Sequence, residues 1–385
     1  LSQNGAFFGS AGHGSAAESV LGLEVVLPDG RLLRTGAWAG EGLTPFHRAY
    51  GPDLTGLFLG DCGALGVKVR AALRVIPMPA SAYASFALPD EGALADAQSA
   101  LAGLRGLAEC FGFDRVANDN LTRTGFTLRE KAETLRDVAQ AGGGGIRGVM
   151  AAVGLGARRM TFLSEVHYSL HLVADGPTEA DAQETLVRAR AILSGLGAIE
   201  IADSIPRATR SRPFRPIKAL LGPDGELWLP VHGVVPLSQA RAALAAVDAA
   251  LAPVHPDMER LGIRVSMLTA LCGRAMIVEP QFFWPDRLTP FHLRYCTAQQ
   301  RETYATRPEN PEARALVHRL RLALAEALDA VGGTHFQIGR YYGFLAGLTP
   351  AARDTLARLK DLLDPTSCMN PGALGLADGD DTPST

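Results

Sequence analysis

His232 stands in Trp228-Leu-Pro-Val-His-Gly-Val-Val-Pro236, at the end of an apolar strand-like run, where an imidazole could take or give a proton near neutral pH. A lone histidine there equally suits a hydrogen-bonded strand end. Arg340-Tyr341-Tyr342 follows Thr334-His335-Phe336-Gln337 and sets a guanidinium beside two phenols. Such a cation can hold a carboxylate or a phenolate through two parallel hydrogen bonds, though a surface strand with a solvated arginine has the same spelling. Glu279-Pro-Gln-Phe-Phe-Trp-Pro-Asp286 embeds an acid in an aromatic run, which reads as core or as an apolar pocket wall, and His292 and Arg294 come just after it.

Metal chemistry finds no support. The five cysteines, Cys62, Cys110, Cys272, Cys296 and Cys368, are far apart and make no CxxC pair. His167 and His171 would share a face on a helix, but their surroundings alternate with period two, and on a strand such a pair spans roughly 13 Å. Gly142 to Gly145 lacks the following GK[ST] of a phosphate loop and reads as a flexible connection. Other glycines are more suggestive. A dinucleotide needs backbone N–H groups close to its pyrophosphate, and Asn4-Gly5, Gly12-His13-Gly14 and the stretch Gly63 to Gly66 are side-chain-poor enough to allow that approach. Any one of them could instead serve only a hairpin.

These residues need elements to hold them. Val20 to Pro28 and Arg31 to Thr35 flank an Asp29-Gly30 turn and predict a hairpin. Val67 to Ile76 predicts a further strand, stopped by Pro77 and Pro79, where a domain boundary is expected. From there to about Val331 strands alternate with amphipathic helices. The helices are Thr178 to Leu196, Leu237 to Leu251 and Pro311 to Ala330; the strands are Thr161 to Val173, Ala198 to Ile201, Glu226 to Val235, Ile263 to Leu268 and Ala275 to Val278. Two β-α-β units in series predict an α+β fold, with a ferredoxin-like sheet carrying helices on one face. The expected division is 1–78, 79–331, a returning segment 332–376 that includes a helix from Pro350 to Leu363, and a frayed tail 377–385.

Composition agrees with this organisation. Of the 385 residues 47% are hydrophobic and 20% charged, which suits a globular chain with two or three cores. No apolar run reaches the roughly 18 residues of a membrane span. With a formal charge of -3 and no basic run interleaved with aromatics, nucleic acid is not an expected partner. The sparse cysteines favour a reducing, cytoplasmic setting.

Three motifs in fixed order now carry a resemblance: VLGLEVVLPDGRLLRTG from Val20, GPDLTGLFLGDCGALGVKVRAALRVIP from Gly51, and LLDPTSCMNPGALGL from Leu362. Together they resemble the vanillyl-alcohol oxidase and para-cresol methylhydroxylase superfamily, which includes glycolate-oxidase and D-lactate-dehydrogenase flavoproteins. The resemblance implies part of an FAD-binding domain, a substrate or cap domain in the middle, and hydride transfer from a small 2-hydroxy acid to flavin. Oxidation of a para-substituted phenol is the alternative, and a non-catalytic part of a flavoprotein is a second one.

By the same resemblance Gln3, Asn4, His13 and Gly14 lie in a flavin-contacting segment, Gly66 is cofactor-binding, the Val67 backbone meets the adenosine part, and Asn370 approaches the isoalloxazine. His232, Arg340, Tyr341 and Tyr342 would form the substrate side. Asp61-Cys62-Gly63-Ala64 departs from the family's Ser-Glu-Gly-Thr, so contacts made by that Glu and Thr do not carry over, and the His-x-x-Gly-Asp-Gly-x-x-His metal run of some hydroxy-acid members does not occur. In the family a pyrophosphate-binding lobe precedes the segment that corresponds to Leu1. The expectation is therefore a chain holding half of a cofactor site, with that N-terminal lobe, the substrate and an unidentified electron acceptor as its partners.

Overall fold

The computed structural model describes residues 1–6, 8–123, 166–211 and 221–376. The glycine run 142–145, the start of the strand expected from Thr161 and the tail 377–385 lie outside the described residues. The chain divides into two compact units: Leu1–Phe7, His13–Met78 and His335–Thr385 form the first, and Phe8–Gly12 with Pro79–Thr334 the second.

In the first unit β1 (Val20–Val26), β2 (Leu32–Arg34) and β3 (Val67–Leu73) make an antiparallel sheet in the order β2-β1-β3. The hairpin forms where Asp29-Gly30 predicts it. Gly30 takes the left-handed conformation (φ 83°) and the Asp29 carboxylate accepts from the Arg31 amide. Alternation along β1 sends Leu23 and Val25 into a core with Phe58 and Leu65. On the opposite face buried Glu24 stands across from both Arg34 and Arg70 and binds each. β3 ends at Leu73, sooner than the expected Ile76, and Val75 and Ile76 run exposed toward Pro77.

The second unit is built from β4 (Ala80–Leu88), α1 (Glu91–Leu101), β5 (Leu107–Phe113), α2 (Arg115–Arg123), β6 (Tyr168–Gly176), α3 (Glu179–Ser194), β7 (Ile199–Ile201), α4 (Ser204–Ser211), β8 (Leu227–Pro230), β9 (Gly233–Pro236), α5 (Ala240–Leu251), β10 (Arg264–Cys272), β11 (Ala275–Trp284) and α6 (Pro311–Ala330). All pairings are antiparallel, in the order β7-β4-β6-β5-β10-β11-β8, with β9 also on β11. β4-α1-β5 and β6-α3-β7 interleave as 4-1-3-2, which is a ferredoxin-like unit. β9-α5-β10 and β11-α6 repeat the pattern, and a single bridge from Thr334 to Val234 supplies the fourth position. The two repeats join edge to edge through β5 and β10, so a β-α-β reading of the sequence finds both halves.

Helix boundaries follow local chemistry. α3 begins at a capping box in which Thr178 and Asp181 bond each other's backbone, and α6 begins at Asn310 with Pro311 in the first turn. α1 and α3 bury Leu94, Leu101, Leu186 and Leu193 against Phe86, Leu170 and Leu172 on one face of the sheet. The expectation of helices on one face alone needs correction. Asn118 of α2 bonds Ser169, and Arg207 of α4 lies over Tyr83, both on the reverse face.

Candidate functional site

In the first unit four segments distant in sequence are stitched together. The amides of Gly60 and Cys62 donate to the carbonyls of Leu1 and Ser2, and the Gln337 amide donates to Gln3. The Gly339 amide donates to Cys62 Sγ at 3.2 Å, and the Leu374 amide donates back to the Gly339 carbonyl. Asn370 joins two of these segments. Its Nδ2 donates to the Cys62 carbonyl at 2.6 Å, and its Oδ1 accepts from Arg340 Nη2 at 2.9 Å.

The backbone is strained where these strands of chain meet. Six described residues other than glycine have positive φ: Asn4, Cys62, Gln337, Ser367, Asn370 and Leu374. All six belong to this unit. Left-handed residues cost of order 1 kcal/mol each and gather at ligand clamps and active sites, because something else must hold them there.

The holding is done by buried charge. Lys360, on the helix Pro350–Leu363, donates to the carbonyls of Ala64 and Met369, each at 2.9 Å, and pairs with Asp364. Asp364 accepts in turn from the amides of Cys368 and Met369, which sets the turn that presents Asn370. Burial by itself would raise the Asp364 carboxyl, but the ammonium and the amides outweigh it and hold it at about 2. A second buried pair, Lys68 with Asp61, lies under the glycine stretch at 2.5 Å.

Structure separates the flavin-side residues expected from sequence. Gln3, Asn370 and Arg340 come together around Cys62, whereas the Asn4 side chain accepts from the Ala17 amide. Gly66 is explained by packing, since a Cβ there would stand 2.6 Å from Val25 Cγ1 on β1, and Val67 opens β3 opposite Val26 with its side chain half exposed. His13 is exposed at the end of the short turn Ser10–His13, and Gly14 (φ 71°) makes room for the Glu18 side chain. The glycine stretch is also less open to phosphate than its composition suggests. The amides of Gly63, Ala64 and Leu65 all donate to Asp61, so those donors are already engaged. What remains open is the space on Gly63, where a Cβ would find only Asn370 Nδ2, at 3.9 Å. Tyr342 is buried and stacks on His335 with ring centres 4.1 Å apart, and Tyr341 packs edge-on against it.

In the second unit His232 falls at a break between β8 and β9. Both strands pair with β11, and the ladder fails opposite Pro280, whose carbonyl accepts from the Val231 amide but which has no N–H to return. The break leaves His232 Nε2 3.6 Å from Glu279 Oε2. Gln281 donates to the other oxygen of Glu279 at 2.6 Å, and burial pushes the Glu279 carboxyl up to about 7.

The same reverse face carries His171, fully buried between the hydroxyls of Ser85 and Ser169. Because Ser169 donates to Asn118, the ring must donate to Ser169 through Nε2 and accept from Ser85 at Nδ1. Burial drops the His171 imidazole to about 3, so it is a neutral structural group, and its former companion His167 is exposed. Among the described residues no group of three or more His, Cys, Asp or Glu side chains could hold a metal ion. No helix among them is long and apolar enough to cross a membrane.

Acids held protonated give this unit an unusual pH response. Burial raises Asp114 to about 6, as it does Glu279 to about 7, and burial with neighbouring Asp248 raises Glu91 to about 7. Each folded-state pKa exceeds its unfolded value, so the native state binds more protons between them and stability falls as pH rises from about 4.5 to 8. We expect a loss of about 1–3 kcal/mol over that window, read as a falling urea midpoint. Asp114→Asn, which keeps the oxygen that caps α2, should flatten the slope.

No family model matches the chain. Over 69 residues it is 46% identical to a probable mitochondrial D-lactate dehydrogenase of Danio rerio, a match covering 18% of this chain and 13% of that protein. Over 76 residues it is 36% identical to glycolate oxidase subunit GlcD of Bacillus subtilis, covering 20% and 15%. Among solved structures it matches p-cresol methylhydroxylase with TM-score 0.68 at 15% identity, over 99% of this chain and 69% of that one. It matches alkyldihydroxyacetonephosphate synthase at 0.58 and 14% identity, over 96% and 56%, and 4-ethylphenol oxidase of Gulosibacter chungangensis at 0.57 and 15%, over 94% and 66%. The chain thus spans about a half to two thirds of the length of these structures, and its matches to the two sequence relatives are shorter still. Over nearly its whole length the chain has the fold of these solved structures.

Proposed function

We propose that this chain is part of an FAD-dependent oxidoreductase that oxidises a small 2-hydroxy acid of the glycolate or D-lactate type, FAD supplying the hydride acceptor. The observation that carries the reading is the meeting of Gln3, Cys62, Arg340 and Asn370 on a strained, charge-clasped backbone in the first unit. The two sequence relatives supply the substrate class. In this reading Asn370 and the open side of Gly63 border the flavin, and the exposed Arg340 guanidinium, tethered through one N–H to Asn370, offers its other donors to the substrate carboxylate. Tyr341 and Tyr342 wall that position. Oxidation of a para-substituted phenol keeps a specific claim, because a cation beside two phenols also suits a phenolate.

The pyrophosphate end of FAD is assigned to protein outside residues 1–385, an N-terminal lobe supplied in cis or in trans. Two observations support this: the engaged amides of Gly63 to Leu65, and the greater length of the solved relatives. Residues 1–385 alone should therefore bind FAD weakly, and a form carrying the lobe tightly, in a fluorescence titration. Tight stoichiometric binding by residues 1–385 would overturn that assignment. Turnover of glycolate or D-lactate by the lobe-complete form with an artificial acceptor, against none with p-cresol, tests the substrate class.

A further inference from the structure

The sheet β2-β1-β3 has two faces of different character. Leu23 and Val25 point to the side where Leu65 and Leu363 pack, next to the turn that Lys360 and Asp364 hold. Glu24 points the other way, and Arg34 and Arg70, opposite it in register, share its face. Each arginine donates once to the buried Glu24 carboxylate, which fixes two cations and neutralises only one. The short turn Gly36–Ala39 sets Trp38 beside them, with the two guanidiniums 5.5 and 5.4 Å from its ring centre. Gly22 lies on the same face two residues before Glu24, and Pro45 crosses it, 3.4 Å from where a Cβ would stand. Phe46 follows Pro45 and is 68% exposed. Leu32 and Val67, both opposite Val26, add half-exposed aliphatic groups to this face.

We propose that this face docks the first unit on an anionic phospholipid surface, Trp38 and Phe46 entering the headgroup layer while Arg34 and Arg70 meet lipid phosphates. The proposal goes beyond the oxidoreductase reading and does not depend on it. A single apolar side chain in water needs no explanation, but aromatic and aliphatic groups gathered around two arginines mark a contact surface. Their composition is that of a membrane interface, where aromatic rings settle at headgroup depth and neighbouring cations take the phosphates. Charge selects the lipid. Arg34 and Arg70 leave one positive charge after Glu24 is counted, and Asp29 and Arg31 at the adjoining hairpin turn cancel each other. A fluid layer closes around a ring as exposed as Phe46 without needing a pocket shaped to receive it. The stretch Gly63 to Gly66 and the turn before Asn370 adjoin the opposite face through Leu65 and Leu363, so docking leaves them uncovered.

The test is sedimentation of the lobe-complete protein with vesicles of phosphatidylcholine alone or of phosphatidylcholine with phosphatidylglycerol. The protein should pellet with the second and not the first, and less of it as salt rises, because exposed charges are screened. Phe46→Ser should weaken binding about tenfold and Arg70→Gln about fivefold, each with an unchanged urea midpoint, since Phe46 is exposed and Arg34 still pairs with Glu24 in the second variant. Glu41 is the only acid between Gly36 and Tyr50, and Glu41→Gln should tighten binding. In a chain with Trp228 and Trp284 replaced by Phe, Trp38 emission should move to the blue when phosphatidylglycerol vesicles are added. Absence of binding to both kinds of vesicle would overturn the proposal, as would binding that ignores Phe46→Ser and Arg70→Gln. A Trp38 already shielded from an aqueous quencher in the vesicle-free protein would overturn it too, by showing that protein covers this face.

Discussion

Replacing Lys360 with Met should cost the first unit roughly 3–5 kcal/mol, more than any other single change considered. The stem's bulk remains, but the Asp364 carboxylate is left fully buried without its cation, and the carbonyls of Ala64 and Met369 lose their donor. A buried unpaired charge is among the few defects that single substitutions make this expensive. Lys360→Met combined with Asp364→Asn should be milder than Lys360→Met alone, because the stranded charge is gone and an amide oxygen can still accept from Cys368 and Met369. Of the three tryptophans only Trp38 belongs to this unit, so a chain with Trp228 and Trp284 replaced by Phe reports its unfolding in urea without interference. A loss below about 1 kcal/mol would show that the pair is not what holds the turn.

Arg340→Met is expected to act on catalysis instead. If Arg340 anchors the substrate carboxylate, kcat/KM should drop by roughly 2–4 kcal/mol while flavin content stays normal. Arg340→Lys should recover only part, since a point charge cannot reproduce a two-pronged contact. The bond to Asn370 gives the experiment a second reading. Loss of flavin in Arg340→Met would mean that the guanidinium works by fixing the Asn370 amide. No effect on either quantity would move the substrate cation elsewhere, with Arg294 the next candidate.

Local signals in the sequence went far with the fold. The Asp29-Gly30 turn and the helix Pro311–Ala330 were both readable, because each depends on neighbours within a few residues. The run Glu226 to Val235 read as one strand and is two, since the residue that interrupts it, Pro280, lies about fifty positions away on another strand. The first-unit site was legible only in part for the same reason. Lys360 and Asp364, four apart across the end of a helix, look like any solvated ion pair, and nothing local tells that the Ala64 carbonyl will bond Lys360. Nor does sequence announce a left-handed Cys62 or Asn370, as it would a left-handed glycine.

The hydrogen bond from Asn370 to Cys62 joins residues 308 positions apart, and that separation has a consequence during synthesis. The second unit is spelled between the halves of the first, so at a translation rate of about 5–20 residues per second the glycine stretch leaves the ribosome roughly 15–60 s before the asparagine that closes on it. Throughout that interval Cys62 and its neighbours lack the partners that justify their strained conformation, whereas the residues of the double ferredoxin-like sheet are complete by Thr334. Order of emergence therefore favours the sheet folding first and the clasp of the first unit last. Stalling the nascent chain just beyond Thr334 and probing Cys62 with a thiol reagent should find it reactive there and protected once residue 376 has emerged.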